Sequence, residues 1–447
     1  MSVYSQPLAW RSVSAVCSIF AALLVMLCLS ARTSQALEND APPFDWQPVS
    51  TTRYIKVTSL SDSGRGTLRE CAQAQGSRVC LFEVAGTIKL KSDIVVRYGN
   101  LFIAGQTAPA PGITLTQAGL SIRADHVEVQ HLAIRPGDST AGSPPAERNG
   151  VSVGGYEPAA AYSVSLKNLS LTWAIDENFS TWYQTTHDVW LQNSIVAEGL
   201  YDSIHPKGPH SDAVLVGTDT KNVTLNANLI AFNFDRNPYV EPGSSAKATN
   251  NVIYGWGTRG PWNICNLTNN FGNLSPVVGA FIGNLWIPAS FSYQLDGSIY
   301  SGIIAPTSLV YVDDNYGPGR PNDSLPNSAI TSLVDPSVLT TTCPFATGCT
   351  AALSAASTEA YVLQNAGSRP KQRSSIDKRI VSDVANRAGS IKDCLSGCSR
   401  PAGRVPSTRT TRRLLRVPSD PLGDSNGNGV SNFDEWLVGY TAQVEYL

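Results

Sequence analysis

The run from Glu198 to Pro238, EGLYDSIHPKGPHSDAVLVGTDTKNVTLNANLIAFNFDRNP, contains two β-type segments, DAVLVG and NVTLNANLIAF, broken by Gly, Asn, Asp and Pro. Such segments are too short for amphipathic helices, and they alternate apolar with polar residues. If they stack as successive turns of one coil, His205-Pro206-Lys207-Gly208 and Asp235-Arg236-Asn237-Pro238 open onto one groove. Lys207 and Arg236 would then form a cationic pair there.

The same texture extends outward from residue 88 to about 290, in runs such as DIVVRYGN, GITLTQAG, GVSVGG, HDVWLQNSIVAEG and ATNNVIYGW. Turn-then-strand patterns begin near Val127, Val164, Val189, Val223 and Ala248, at spacings of 37, 25, 34 and 25 residues. About 25 residues is thus the basic rung, and the excess goes into loops. Asn168, Asn193, Asn228 and Asn251 recur near one phase, as a stacked asparagine ladder at a coil corner requires. A β-sandwich also has many short strands, but it rarely keeps this self-similarity for 200 residues. The expected fold is all-β, a right-handed single-stranded parallel β-helix.

The flanks differ in character. Residues 1–36 read as a signal peptide, with Arg11 ahead of the apolar run Val16–Leu29 and Ser34-Gln35-Ala36 at the cleavage point. Residues 37–52 read as an extended arm. A short helix over Thr67–Gln75, with Ser61, Asp62 and Ser63 offering capping oxygens, would cover the open end of the coil ahead of a strand at Val79–Val84. Residues 290–360 read as loop-rich wrapping, and helix formers return from Thr358 to Ala388. The β-helix with its loops is expected over 53–390, followed by a separate tail at 391–447.

The formal charge is −2, and it becomes −4 when Arg11 and Arg32 leave with the leader. A mildly acidic chain without basic clusters gives no reason to expect nucleic-acid binding, and no membrane association is expected after cleavage. Of nine cysteines, seven lie beyond residue 36. Their spacing suggests the disulfides Cys71–Cys80, Cys343–Cys349 and Cys394–Cys398, leaving Cys265 over, in an extracellular or periplasmic protein.

Several stretches together resemble the pectate lyase family in its secreted β-helix branch. SDSGRGTLREC and FEVAGTI resemble its N-terminal cap and first rung. TWAIDENFS, IVAEGLYDSIHPKGPHS, VTLNANLIAFNFDRNP and NNVIYGWG resemble later rungs in order, and VLQNAGSRPKQRSSIDKRIV its C-terminal flank. The resemblance implies a monomer that cleaves polygalacturonate, or a related acidic plant cell-wall polysaccharide, by β-elimination with Ca2+. It implies Arg236 as the base, Lys207 as the cation that stabilises charge, and His205, His210 and Lys207 as substrate-binding residues. It also implies Asp176, Glu177 and Asn149 as ligands of a substrate-bridging calcium. Taken alone, Arg236 would be a carboxylate-paired surface residue and Lys207 a solvated turn lysine.

The chain departs from the family pattern at four places. Ser180 stands where a second carboxylate is common, Asn149 where many relatives carry Asp, Lys167-Asn168 where an Asp-His pair is common, and Glu241 where some have a second arginine. These changes keep a non-catalytic wall-binding β-helix as an alternative. A glycoside hydrolase is a weaker one, because it needs two carboxyl groups about 5–10 Å apart. Adjacent Asp176 and Glu177 are expected on opposite faces of a strand, and Asp202, Asp212 and Asp235 form no compact motif.

The tail carries a second calcium motif. Residues 424–435, DSNGNGVSNFDE, fit the EF-hand loop pattern at every fixed position. Asp424, Asn426 and Asn428 would give side-chain oxygens and Val430 its carbonyl. Gly429 would make the turn, Asn432 would act directly or through water, and Glu435 would close the site.

Overall fold

The computed structural model describes residues 46–154, 159–267, 275–351, 353–406 and 410–446. The expected leader and residues 37–45 of the arm lie outside the described residues. Three sheets, of ten, nine and eight strands, wrap one core. The chain visits them in rotation: Ala161–Lys167 in the first sheet, Ser170–Thr172 in the second, Glu177–Thr181 in the third, then Thr186–Gln192 back in the first. Apart from the short Thr411–Arg412 strand, which lies antiparallel on Val84–Lys89, the paired strands within the sheets are parallel. The molecule is a parallel β-helix, as its sequence period implies.

Register follows the inward side chains. Val127, Val164, Val189 and Val223 sit over one another on successive coils, each buried. Burying one such side chain contributes roughly 1.5–3 kcal/mol, and a one-residue slip would turn the whole set outward. The next member of the column is Ala246, not Ala248, because the coil after Val223 is two residues shorter than the assumed rung.

The corner between the first and second sheets uses two adjacent positions. The first takes a positive φ at Asn168 (51°), Asn193 (48°), Ala227 (55°) and Asn250 (52°). The second holds the amide ladder: Asn228 Nδ2 donates to Asn251 Oδ1 (3.0 Å), Asn251 to Asn284 (2.9 Å) and Asn284 to Asn315 (2.9 Å). Ser194 extends it, donating its backbone N–H to Asn228 Oδ1 (2.9 Å). Asn168 and Asn193 therefore stand one residue ahead of the ladder. Asparagine tolerates the left-handed conformation and also stacks as an amide, so the two demands look alike in sequence.

The N-terminal helix is Leu68–Ala72, shorter than expected, and Thr67 caps it by accepting from Glu70 N–H (3.2 Å). Ser61, Asp62 and Ser63 do not cap it; Asp62 instead pairs with Arg69 (2.6 Å). Cys71–Cys80 ties this helix to the strand Arg78–Phe82, and Cys343–Cys349 and Cys394–Cys398 are also joined, with Cys265 buried and free. Helices Ala355–Asn365 and Ser375–Ala385 cover the second sheet, where Val362, Ile376, Ile380 and Val384 meet Ile195, Leu229 and Val252. The tail helix Asn432–Val444 packs Phe433 against Val79, Leu81 and Phe102 of the first sheet. Among the described residues, no helix is long and apolar enough to cross a membrane.

Candidate active site

The expected coil residues of the site lie on, or just after, the turns that lead from second-sheet strands to third-sheet strands. Asn149 precedes Val151–Val153, Asp176 precedes Glu177–Thr181, and the loop 198–211 carries His205, Lys207 and His210 ahead of Asp212–Val216. The turn 232–238 carries Asp235 and Arg236 ahead of Tyr239–Val240. Parallel pairing lines these turns up. Glu177 is in register with Asp212, and Asp212 bridges to Asp235, so three carboxylates occupy one column on adjacent coils.

Arg236 has a positive φ (56°), and its N–H is accepted by Asp235 Oδ1 (2.7 Å). Its guanidinium turns back along the column, with Nη1 on Glu177 Oε1 and Nε 3.2 Å from Asp212 Oδ2. Buried Asn233 holds the underlying turns, accepting from Asn178 Nδ2 (2.9 Å) and Gly199 N–H (3.0 Å). Glu177 N–H is accepted by Asn149 Oδ1 (2.8 Å), which brings Asn149 to the same column.

Asp176 and Glu177 do not diverge. Asp176 is in the bend before the strand, where alternation does not apply, and the oxygens of Asp176, Glu177 and Asp212 lie within 4.8 Å of one another. Asp212 joins a compact acidic group with Asp176 and Glu177, contrary to expectation, and Asp235 lies beside it across an isolated bridge. Coil stacking gathers residues that are far apart in sequence. Asp202 does stand apart, with its N–H on Asp393 (3.4 Å).

The electrostatics are those of too many buried carboxylates for one cation. Burial, then the charge of Asp212, raises Asp176 above the ordinary carboxylate range. Burial raises Glu177 well above its usual value, against the pull of Arg236. Asp235 is pushed up to about 7, by burial and then by Asp212. Burial opposes the charge on Arg236, but Asp212, Glu177, Asp176 and Asp235 outweigh it and hold the guanidinium protonated.

The histidines form one wall. Their rings stack at 3.8 Å and 13°. His210 Nε2 is 3.4 Å from Asp176 Oδ1 and 3.5 Å from Asp212 Oδ2. His205 is buried, and its Nδ1 accepts from Lys207 N–H (3.2 Å). The Lys207 side chain is exposed and makes no ion pair among the described residues. The loop brings Lys207 beside His205, while Arg236 contacts Glu177 and Asp212.

The departures have structural uses. Glu241 Oε2 accepts from Thr218 N–H (2.8 Å) and Oγ1 (2.7 Å), securing a turn. Asn168 Nδ2 reaches Asn365 O (3.1 Å) under the covering helix. Ser180 is buried with its hydroxyl unpaired. Three clustered carboxylates suit a hard dication bound through oxygen, and their excess charge calls for one. Asn149 can join them only through the second lone pair of an oxygen already bonded to Glu177 N–H.

The tail loop gathers its own set away from this column. Asp424 Oδ1 accepts from Gly427 N–H (2.8 Å) and Asp424 Oδ2 from Gly429 N–H (2.8 Å). Asn426 and Asn428 each donate Nδ2 to Glu435 Oε1 (2.6 and 2.7 Å). Val430 N–H is accepted by Asn428 Oδ1 (2.8 Å), and Asn432 Oδ1 accepts from Ser425 N–H (3.0 Å).

Fold and site together define a parallel β-helix protein with a buried carboxylate–arginine column walled by two histidines. The chain is 32% identical over 277 residues to a protein named probable pectate lyase C from Neosartorya fischeri, covering 58% of this chain and 60% of that one. It is 35% identical over 230 residues to the protein of the same name from Aspergillus oryzae, covering 51% and 49%. The alignments thus span about half to three-fifths of these curated relatives. A solved pectate lyase from Bacillus sp. N165, in complex with trigalacturonate, aligns at 11% identity and a TM-score of 0.46, covering 71% of this chain and 93% of that one. No family model matches the chain.

Proposed function

We propose that this chain is a secreted polysaccharide lyase that cleaves polygalacturonate or a related acidic plant cell-wall polysaccharide by β-elimination, with Arg236 as base and calcium bound in the groove. The observation that carries the reading is the position of Arg236 inside the column of Asp176, Glu177 and Asp212. Similarity to proteins named pectate lyase supports the reaction class, and three disulfides support export.

Elimination removes the hydrogen at C5 of a uronate, and negative charge builds towards the neighbouring carboxylate. Calcium, held by Asp176, Glu177 and Asp212 with Asn149 beside them, would neutralise substrate carboxylate and protein carboxylates alike. Arg236 must first release its own proton to solvent, which requires Glu177 and Asp212 to be drawn away from it. The neutral guanidine then takes the C5 proton, the electron pair forms the C4–C5 double bond, and the C4–O bond breaks with the leaving oxygen taking a proton from water. Lys207, on the mobile-length side chain of the adjoining loop, supplies positive charge where the carboxylate gains electron density. His205 and His210 wall the subsite and orient the sugar.

A hydrolase is the second reading, favoured by Asp235, whose carboxyl is pushed up to about 7 and so can act as an acid near neutral pH, and by the burial that raises Asp176 and Glu177 beside it. Polygalacturonate assayed with and without calcium separates the two. Ultraviolet absorbance from the unsaturated product, dependent on calcium, is expected. Reducing ends without that absorbance would replace the lyase reading with the hydrolase one, and neither signal would leave a wall-binding protein. We also assign a separate structural calcium site to residues 424–435, supported by the convergence of Asn426 and Asn428 on Glu435.

A further inference from the structure

Away from the acidic column, the outer face of the second sheet carries a cationic row. Strands Val84–Lys89, Ile113–Thr116 and Leu132–Arg135 pair so that Lys89, Thr116 and Arg135 stand in register on adjacent coils. Their neighbours Ile88, Leu115 and Ile134 belong to the core, so by alternation this row faces outward. The tail segment passes over it. Leu395 N–H on Asp138 Oδ2 (2.9 Å) fixes that segment at one place, and Thr411–Arg412 paired on Ala85 and Val84 fixes it at another. A cavity of about 450 Å³ remains between sheet and tail, within the range of small-molecule sites.

The walls of this cavity point to an anion. Among the described residues, its charged side chains are Lys89, Arg135 and Arg404 and none is a carboxylate, although the chain as a whole has a formal charge of −2. Arg135 is neutralised by Asp377 (2.8 Å). Lys89 and Arg404 are exposed and meet no carboxylate among the described residues, and the Arg404 guanidinium donates to Ser396 Oγ (3.0 Å). Thr87, Thr116, Gln117 and Ser139 add hydroxyl and amide groups. A second hollow of about 440 Å³ shares Leu60, Thr87 and Lys89 with the first and carries the opening on to Lys91. The carboxylate in its wall, Asp62, is already paired with Arg69 (2.6 Å). Cations spaced along a hydroxyl-lined cleft fit an anion that carries hydroxyl groups and is longer than one sugar unit.

We propose that this cleft is a second binding site for an acidic oligosaccharide of the oligogalacturonate class, with its carboxylates on Lys89 and Arg404 and its hydroxyls against Thr87, Thr116 and Gln117. The choice of galacturonate rests on the substrate reading above, whereas the demand for an anion comes from the cleft itself. The site is separate from the column. Arg135 lies one coil before the strand Ser170–Thr172 that leads to Asp176, and the cleft runs from there towards earlier coils, away from Arg236. It needs no calcium, because an amine and a guanidinium supply the positive charge.

The test is calorimetric titration of the full chain, in excess chelator, with trigalacturonate as the probe. Binding that weakens with added salt is expected. Lys89→Gln and Arg404→Gln should each weaken it by about 10-fold or more, the loss of one charge-assisted contact. Neutral galactotriose should not compete. In the wild type, trigalacturonate should shield the Lys89 amine from acetylation, read by mass spectrometry, which guards against a variant that fails to fold. Initial rates on polygalacturonate with calcium should be unchanged in the double variant Lys89→Gln/Arg404→Gln. Absence of the unsaturated product in every protein would remove the lyase reading and leave this site standing. No binding in chelator, binding indifferent to both substitutions, equal competition by the neutral sugar, or equal labelling of Lys89 with and without trigalacturonate would overturn the proposal. So would a fall in the double variant's turnover, which would place both cations in the reacting groove.

Discussion

Two clusters of acid and amide groups in this chain are held by opposite physics. In the column around Arg236 the carboxyl groups are buried, and desolvation raises Asp176, Glu177 and Asp235. In the tail loop Asp424 is exposed, and the backbone N–H of Gly429, with those of Asn428 and Gly427, holds its carboxyl below the usual range. The column stores uncompensated negative charge and needs a cation to be fully ionised. The loop is already satisfied by its own backbone, so a cation there must displace existing hydrogen bonds. Residue types that look equally calcium-like in sequence therefore differ in how much they gain from the ion.

The sharpest way to break this contrast is at Arg236. Arg236→Lys should lower elimination on polygalacturonate by about 10³-fold while circular dichroism stays unchanged, since a lysine cannot span Glu177 and Asp212 as the guanidinium does. Near-wild-type turnover would show that Arg236 only balances buried charge. Next in size is Lys207→Ala, which should cost about 10²-fold in kcat. If KM rises and kcat holds, Lys207 binds substrate and does not stabilise developing charge.

Much of the coil was legible in sequence because its period is imposed by stacking. Every rung must return Val127, Val164, Val189 and Val223 to the same inward column, and that regularity survives variable loops. The disulfides were legible for a similar reason: each joins cysteines four to nine residues apart. Lys207 and Arg236 were named through resemblance, but the partners of Arg236 were only partly legible. Glu177 and Asp212 meet because two loops of different length happen to restore register, and no local pattern reports that. The bend at Asp176 was missed because strand alternation was applied one residue too far. Asn233, which anchors the turns under the site, looks like any other asparagine in a chain full of them.

The column also makes a statement about pH. Asp235 binds its proton up to about pH 7 when folded, against an ordinary carboxyl near 3.9 in the unfolded chain. Between those limits the folded state holds more protons than the unfolded one, so stability falls as pH rises. Asp176 and Glu177 act in the same direction. Glu445 acts oppositely, but, held at about 2 by Lys167 and His131 against its burial, it does so below pH 4. Melting of the metal-free protein should therefore drop by several degrees from pH 4.5 to 7.5, an effect of about 3 kcal/mol on a chain of this size. Asp235→Asn should flatten the slope, and calcium should flatten it in the wild type. A melting temperature that rises over this range would mean the column is already compensated.

The smallest effect is expected at the tail loop, and it tests the other half of the comparison. Asn426 and Asn428 present their amide nitrogens, not their oxygens, to Glu435 Oε1. Calcium binding must turn both amides over and give up the N–H of Val430 on Asn428 Oδ1. With Asp424 and Glu435 as the carboxylates among the fixed side-chain positions, a Kd of roughly 10⁻⁴–10⁻³ M is expected, as in extracellular calcium modules. The helix that follows owes its place to Phe433, buried on the first sheet beside Tyr54 at 5.0 Å between ring centroids. A peptide of the tail alone would lose that support, so the full chain is the right material. Trp436, stacked on Phe433 at 5.8 Å, lies one residue beyond Glu435 and should report the change. Millimolar calcium should alter its fluorescence in the wild type and not in Glu435→Gln, with melting shifted by no more than a degree or two. Superimposable titrations of the two proteins would reduce residues 424–435 to a turn that its own backbone has already satisfied.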